Sequence, residues 1–112
     1  MPRPVKPIAQ IKKFHKILFK GIALNPGIVT GSVRILRNQD YYQVKRDEIA
    51  VIPQLSKILL SKISKAKAII ADAGLSTDHD KMLYKRNIKI PTIMGVGNAI
   101  NVLQNKSIIT NN

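Results

Sequence analysis

The stretch from Glu48 to Thr77 constrains the fold more than any other part of the chain. "EIAVIP" (48–53) and "KAKAIIA" (65–71) are short apolar runs, the first ended by Pro53, and between them "QLSKILLSKI" spaces Leu55, Ile58, Leu59 and Ile63 along one helical face. Short apolar runs bounded by turn residues read as buried strands, and apolar residues three and four apart read as an amphipathic helix. The second run leads directly into the loop "DAGLSTDH". Strand, helix, strand and loop in this order favour an α/β layered domain.

The flanking segments extend the pattern. "GIAL" and "IVTGSVRIL" are β-like runs joined by "NPG", where Pro26 presets a turn and Gly27 accepts positive φ. They predict a hairpin with Val33 and Ile35 turned inward, which argues against a purely parallel arrangement. "RNQDYYQVKRD" is a polar connection. Downstream, a helix is expected near residues 79–87, a strand at "PTIMG", a turn or short helix at "VGNAINVLQ" and a last strand at "KSIIT".

The first twenty residues have another texture. Three prolines among the first seven deny backbone donors, and "IKKFHKILFK" sets Ile8, Ile11, His15 and Leu18 near helical spacing with lysines elsewhere around the axis. Residues 1–20 are therefore expected to form a basic linker or arm containing a short amphipathic helix, ahead of a domain at 21–110.

Composition bounds the chemistry. Nineteen Lys and Arg against six Asp and Glu give a net charge of +13, a field that draws in phosphate-bearing partners. The three tyrosines and two phenylalanines form no nucleic-acid motif, so no specific nucleic-acid partner is expected. The absence of cysteine excludes disulfides, thiolate metal sites and thiol nucleophiles, and it permits a cytoplasmic setting. No apolar run approaches the roughly 18 residues of a membrane span. No set of His, Asp and Glu offers a closed metal site.

His79 is the candidate for chemistry. It lies where a strand hands over to a helix, and such junctions aim unpaired backbone N–H groups at solvent. A neutral imidazole there is a competent nucleophile toward phosphorus, and the donors suit the anionic product. The alternative reading makes Thr77 or Asp78 an N-cap and His79 a first-turn residue without a reaction.

The stretch "AGLSTDHDKMLYKRNIKIPTIMGVGNA" resembles the phosphohistidine signature of the mobile domain of phosphoenolpyruvate-utilising enzymes, roughly GGxTxHxAxxARxxGIPAVVGxGNA. Gly74, Thr77 and His79 match in register, followed by Ile90, Pro91, Gly95, Gly97, Asn98 and Ala99. "GIALNPGIVTGSVRIL" and "DEIAVIP" are similar to the family's earlier segments, so the resemblance spans about residues 20 to 110. It implies a layered β/β/α swivelling phosphohistidine domain, as in pyruvate phosphate dikinase, phosphoenolpyruvate synthase and the first enzyme of the sugar phosphotransferase system. By that resemblance His79 would carry the phosphoryl group, with Gly74 and Thr77 at the phosphate. The partners would be phosphoenolpyruvate-binding and nucleotide-binding phosphotransferase domains. No cofactor would be bound by this chain, and Mg would sit with the donor substrate in those domains.

The departures from the pattern surround the histidine. Leu75 replaces a glycine, Ser76 a basic residue, and Asp78 and Asp80 the small flanking residues. One additional residue before Pro91 leaves both Lys85 and Arg86 placed to stand for the family's arginine. Carboxylates at 6 to 8 Å would repel each unit of phosphoryl charge by about 0.5 to 3 kcal/mol. Two functions follow: a phosphoryl carrier in a phosphoenolpyruvate-linked phosphotransferase system, or a degenerate regulatory or docking module that no longer carries phosphate.

Overall fold

The computed structural model of the protein describes residues 8–13, 16–37, 43–55 and 63–111. In chain order the elements are β1 (Ile8–Lys13), β2 (Lys16–Asn25), β3 (Val29–Ile35), β4 (Glu48–Gln54), β5 (Ala68–Ala73), α1 (Asp78–Asn87), β6 (Thr92–Met94), α2 (Ala99–Val102) and β7 (Ile108–Asn111). The strands form one mixed sheet in the order β1-β2-β6-β5-β4-β3-β7, closed into a barrel by antiparallel pairing of β7 with β1. Strands β3 to β6 run parallel where they neighbour one another, and the remaining pairs are antiparallel.

Side-chain alternation divides the apolar residues into two cores. One is the barrel interior, to which every strand contributes: Ile11, Ala23, Val33, Ile49, Val51, Ala68, Ile70, Ile93 and Ile109, with Ala99 and Leu103 packed alongside. The other lies on the outer face of the β4–β5–β6 side, where Ala50, Ile52, Ile69, Ala71 and Met94 meet Tyr84 of α1 together with Leu55 and Ile63. Successive strand residues point to opposite faces, so β4 and β5 are buried on both sides and need apolar residues at consecutive positions. This is the physical origin of the runs "EIAVIP" and "KAKAIIA". Far strands, near strands and helix make the three layers of the expected α/β fold.

Two local expectations are corrected. Ile8–Lys13 and Lys16–Asn25 are strands rather than a basic helix, and the expected arm-to-domain boundary at residue 20 falls inside β2. The reason is tertiary: β1 is the strand that joins β2 to β7, and Ile11 is fully buried in the interior. A register shift between Ile11 and Lys12 bends β1 there, which blurs the period-two pattern that a regular strand would show. Likewise β2 and β3 do not form a hairpin. The "NPG" turn sends the chain to a different part of the sheet, where β3 pairs with β7 and β4. The expected helix around "SKILLSK" lies outside the described residues.

A buried ion pair fixes the start of β4. Glu48 is 6% exposed, and its carboxylate accepts from Arg34 Nε at 3.0 Å and from the Lys45 backbone N–H at 2.9 Å. Removing one partner from such a pair leaves an uncompensated charge, so the clasp holds β3 against β4 in register.

Candidate functional site

Strand β5 ends at Ala73, and the chain crosses Gly74, Leu75 and Ser76 before α1 begins. Gly74 is close against β6: a Cβ there would meet the side chain of Met94, with its Cβ and Cγ at 2.8 Å. Only a glycine lets the loop leave β5 at that angle. Leu75 turns back onto the outer core.

Thr77 caps α1. Its backbone is extended (φ −95°, ψ 147°), and its hydroxyl accepts from the Asp80 backbone N–H at 3.1 Å. Thr77 thus takes the N-cap role, and Asp78 is the first residue of the helix rather than its cap. Asp78 and Asp80 lie in the first turn and Lys85 and Arg86 in the last, an arrangement that complements the helix dipole. His79 is exposed between the two acids. Among the described residues, neither carboxylate takes a hydrogen bond, so both remain as charges beside the imidazole.

The far end of α1 is tied down. Tyr84 is 6% exposed, and its hydroxyl lies 2.8 Å from Thr92 Oγ1, which donates in turn to the Ile90 carbonyl at 2.8 Å. The Thr92 proton is thereby committed, so Tyr84 is the donor to Thr92. Burial pushes the Tyr84 phenol above its ordinary value of 10.0, and the Thr92 hydrogen bond opposes this in part. Asn25, at the end of β2, donates from Nδ2 to the Ile88 carbonyl at 2.6 Å and to the Ile90 carbonyl at 3.3 Å. The loop after α1 is therefore held by β2, while the His79 end faces solvent.

The glycine turn of the signature lies at the tip of β6. Gly95 (φ 71°) and Gly97 (φ 104°) adopt the left-handed conformations that side chains disfavour. The β5 end holds this turn: Gly97 N–H donates to the Asp72 carbonyl at 3.2 Å, and Val96 N–H to the Ala71 carbonyl at 3.4 Å. The Asp72 carboxylate accepts from the backbone N–H groups of Ala99 at 2.6 Å and Ile100 at 3.1 Å, capping α2 from across the sheet. The loop before His79 and the glycine turn consequently share one support, the last residues of β5. Asp72 and Asn25 escaped the sequence reading because their partners are 27 and 63 residues away. An acid at a strand end and an asparagine before Pro26 each carry an ordinary local explanation.

A sequence profile described as "PEP-utilising enzyme, mobile domain" matches residues 44–111. The chain belongs to this family. The mobile domain is 29% identical over 99 residues to a probable phosphoenolpyruvate synthase of Methanothermobacter thermautotrophicus, covering 88% of this chain and 14% of that protein. It is 30% identical over 97 residues to a phosphoenolpyruvate synthase of Aquifex aeolicus, covering 86% of this chain and 11% of the relative. It is also 33% identical over 91 residues to an uncharacterized phosphotransferase of Bacillus subtilis, covering 80% of this chain and 11% of the relative. The chain thus spans about a seventh or less of the length of these relatives.

Among the described residues, no group of three or more His, Asp and Glu gathers as a metal site, and no helix is long and apolar enough to cross a membrane.

Proposed function

We propose that this mobile domain is a phosphoryl carrier in phosphoenolpyruvate-linked phosphoryl transfer, with His79 as the acceptor. The observation that carries the reading is the exposed imidazole in the first turn of α1, on a helix that Thr77 caps and whose far end Tyr84 and Asn25 anchor. In the forward step an unprotonated imidazole nitrogen attacks phosphorus. The N–P bond forms as the bond from phosphorus to the enol oxygen breaks, and the leaving enolate takes a proton to become pyruvate after tautomerisation. The imidazole loses its remaining N–H proton to water. Thr77 and the loop from Gly74 shape the approach of the phosphoryl group.

The domain needs partners for this. Phosphoenolpyruvate-binding and nucleotide-binding domains would supply donor and acceptor, with Mg held alongside the substrate there, since this chain's described residues do not fit a metal. A cytoplasmic setting agrees with the absence of cysteine. The names of the relatives favour a synthase-type reaction over a sugar phosphotransferase chain.

The test is labelling of the full chain with radioactive phosphoenolpyruvate and a catalytic amount of the Aquifex aeolicus synthase. The expected product is base-stable, acid-labile label that disappears in His79→Ala. Label that persists in His79→Ala would end the assignment.

The second reading, a docking module without phosphate, has its own supporting observation: the unpaired carboxylates of Asp78 and Asp80 on either side of His79. It expects His79→Ala to keep every function of the wild-type chain. A defect confined to loss of the imidazole, with folding intact, is incompatible with it.

A further inference from the structure

Helix α1 presents two faces. Tyr84 goes to the core, followed by Ile88 just beyond the helix. On the solvent side His79, Met82, Leu83 and Arg86 recur at the spacing of one helical stripe, and Met82 and Leu83 are 50% and 38% exposed. Two adjacent large apolar side chains next to a reactive imidazole have no partner within the domain to justify their exposure.

The charge around this stripe is one-sided beyond the first turn. Lys85, Arg86 and Lys89 are exposed, and Lys81 is half-buried. Glu48 is buried and paired with Arg34, and the Asp72 carboxylate is committed to the α2 backbone. Among the described residues the exposed carboxylates are Asp47, Asp78 and Asp80, so none offsets the cations at the far end of α1.

Resting on the carrier reading above, we infer that the Met82–Leu83 stripe is the seat for a phosphoenolpyruvate-binding domain whose facing surface is an apolar recess rimmed by carboxylates toward the Lys85–Lys89 end. The apolar pair supplies the buried centre of the contact, and the lysines and Arg86 supply its polar rim. A carrier engages more than one site in turn, which requires contacts that form and release. Met82 suits this, because an unbranched thioether side chain repacks against different surfaces. The rim charges act mainly on encounter and orientation: acids opposite Lys85 and Arg86 set which way α1 lies and so bring His79 to the donor. Nucleic acid fits the stripe poorly, since it offers no exposed aromatic ring for stacking and the one aromatic of α1, Tyr84, is buried.

The experiment compares two phosphoryl donors on the full chain. Phosphoramidate is a small molecule that phosphorylates histidine without docking; the imidazole nitrogen displaces ammonia from phosphorus. The second donor is labelled phosphoenolpyruvate delivered by the Aquifex aeolicus synthase with its own carrier histidine replaced by alanine. Met82→Ala/Leu83→Ala is expected to lower kcat/KM for the enzymatic donor by about tenfold or more, as truncation of a buried contact centre does. Lys85→Gln/Arg86→Gln/Lys89→Gln should lower it several-fold at low salt and flatten its dependence on ionic strength. Both variants should react with phosphoramidate within about twofold of wild type. Enzymatic rates unchanged in both variants, or a wild-type chain that phosphoramidate labels and the synthase does not, would overturn the docking face while leaving the carrier role intact. Failure of phosphoramidate to label His79 would instead strike the carrier reading, and the docking proposal with it. Tight binding of a 20-nucleotide RNA at about 150 mM salt, lost in the Gln variant, would assign the cations to nucleic acid and also overturn it.

Discussion

The Tyr84 hydroxyl donates to Thr92 Oγ1 at 2.8 Å inside the protein, joining the helix that carries His79 to the short strand β6. Because Thr92 is fully buried and spends its own proton on Ile90, it has no other donor to accept from among the described residues. Tyr84→Phe is therefore expected to lower unfolding free energy by about 1 kcal/mol at neutral pH, measured by urea denaturation. The effect of pH has a definite sign. Burial raises the folded-state pKa above the ordinary 10.0, so the folded protein holds its phenolic proton longer than the unfolded chain. The contribution is complete below pH 10 and is lost as pH rises through the raised value. Tyr84→Phe should abolish that part of the alkaline decline, making the variant's stability less steep above pH 10.

Gly74→Ala should be destabilising through a single neighbour. The added methyl collides with Met94, which is 4% exposed and part of the outer core. A cost of about 1 to 3 kcal/mol is expected from overpacking. Met94→Ala alone should cost about 2 to 5 kcal/mol by leaving a cavity. Combined, the two should cost less than their sum, because the new methyl partly fills the space. Additive melting data for the double variant would show that the glycine serves something other than this contact.

Asn111 offers a gain in stability. It is 1% exposed at the end of β7, and neither Oδ1 nor Nδ2 has a hydrogen-bond partner. By strand alternation it shares the inward face of Ile109, opposite Ile11 of β1. A buried polar group left unpaired costs about 1 to 3 kcal/mol. Asn111→Val, with β-branched shape and no polar atoms, should raise the melting temperature. A lower one would indicate that the amide is satisfied in solution, for instance by an internal water.

Asp78→Asn and Asp80→Asn should each quicken phosphorylation of His79 by an anionic small-molecule donor. At 6 to 8 Å in a solvent-like dielectric, removing one like charge is worth about threefold in rate. The gain should shrink at high salt, since both side chains are exposed. Rates by phosphoramidate at about 20 mM and 500 mM salt provide the measurement, and a slower Asn variant would mean that the carboxylates assist the imidazole.

The parts of the fold legible in the sequence were those whose burial is uniform or whose punctuation is local. β4 and β5 lie between two cores, so their apolar runs are unbroken, and α1 begins at Thr77 with a cap that the sequence displays. β1 and the first half of β2 were misread because apolar residues at 8, 11 and 18 satisfy a helical period, while their true pairing depends on β7 nearly a hundred residues away. The supposed β2–β3 hairpin failed for the same reason: its turn chemistry is sound, yet β3 finds a better neighbour in β7. At the site, His79, Gly74 and Thr77 were visible through their spacing. Asp72, Asn25 and the Tyr84–Thr92 link were not, since each becomes informative only when distant backbone is brought to it.

The pairing of Ile11 with Asn111 has a mechanical consequence. β1 and β7 run side by side in opposite directions, so the chain comes in at Ile8 and goes out at Asn111 on one corner of the barrel. Whatever polypeptide is attached at either point, both tethers meet the domain at a common pivot. A body hung from two adjacent threads can swing through a wide arc without twisting them around each other, and its leading edge travels farthest when it lies well away from the attachment.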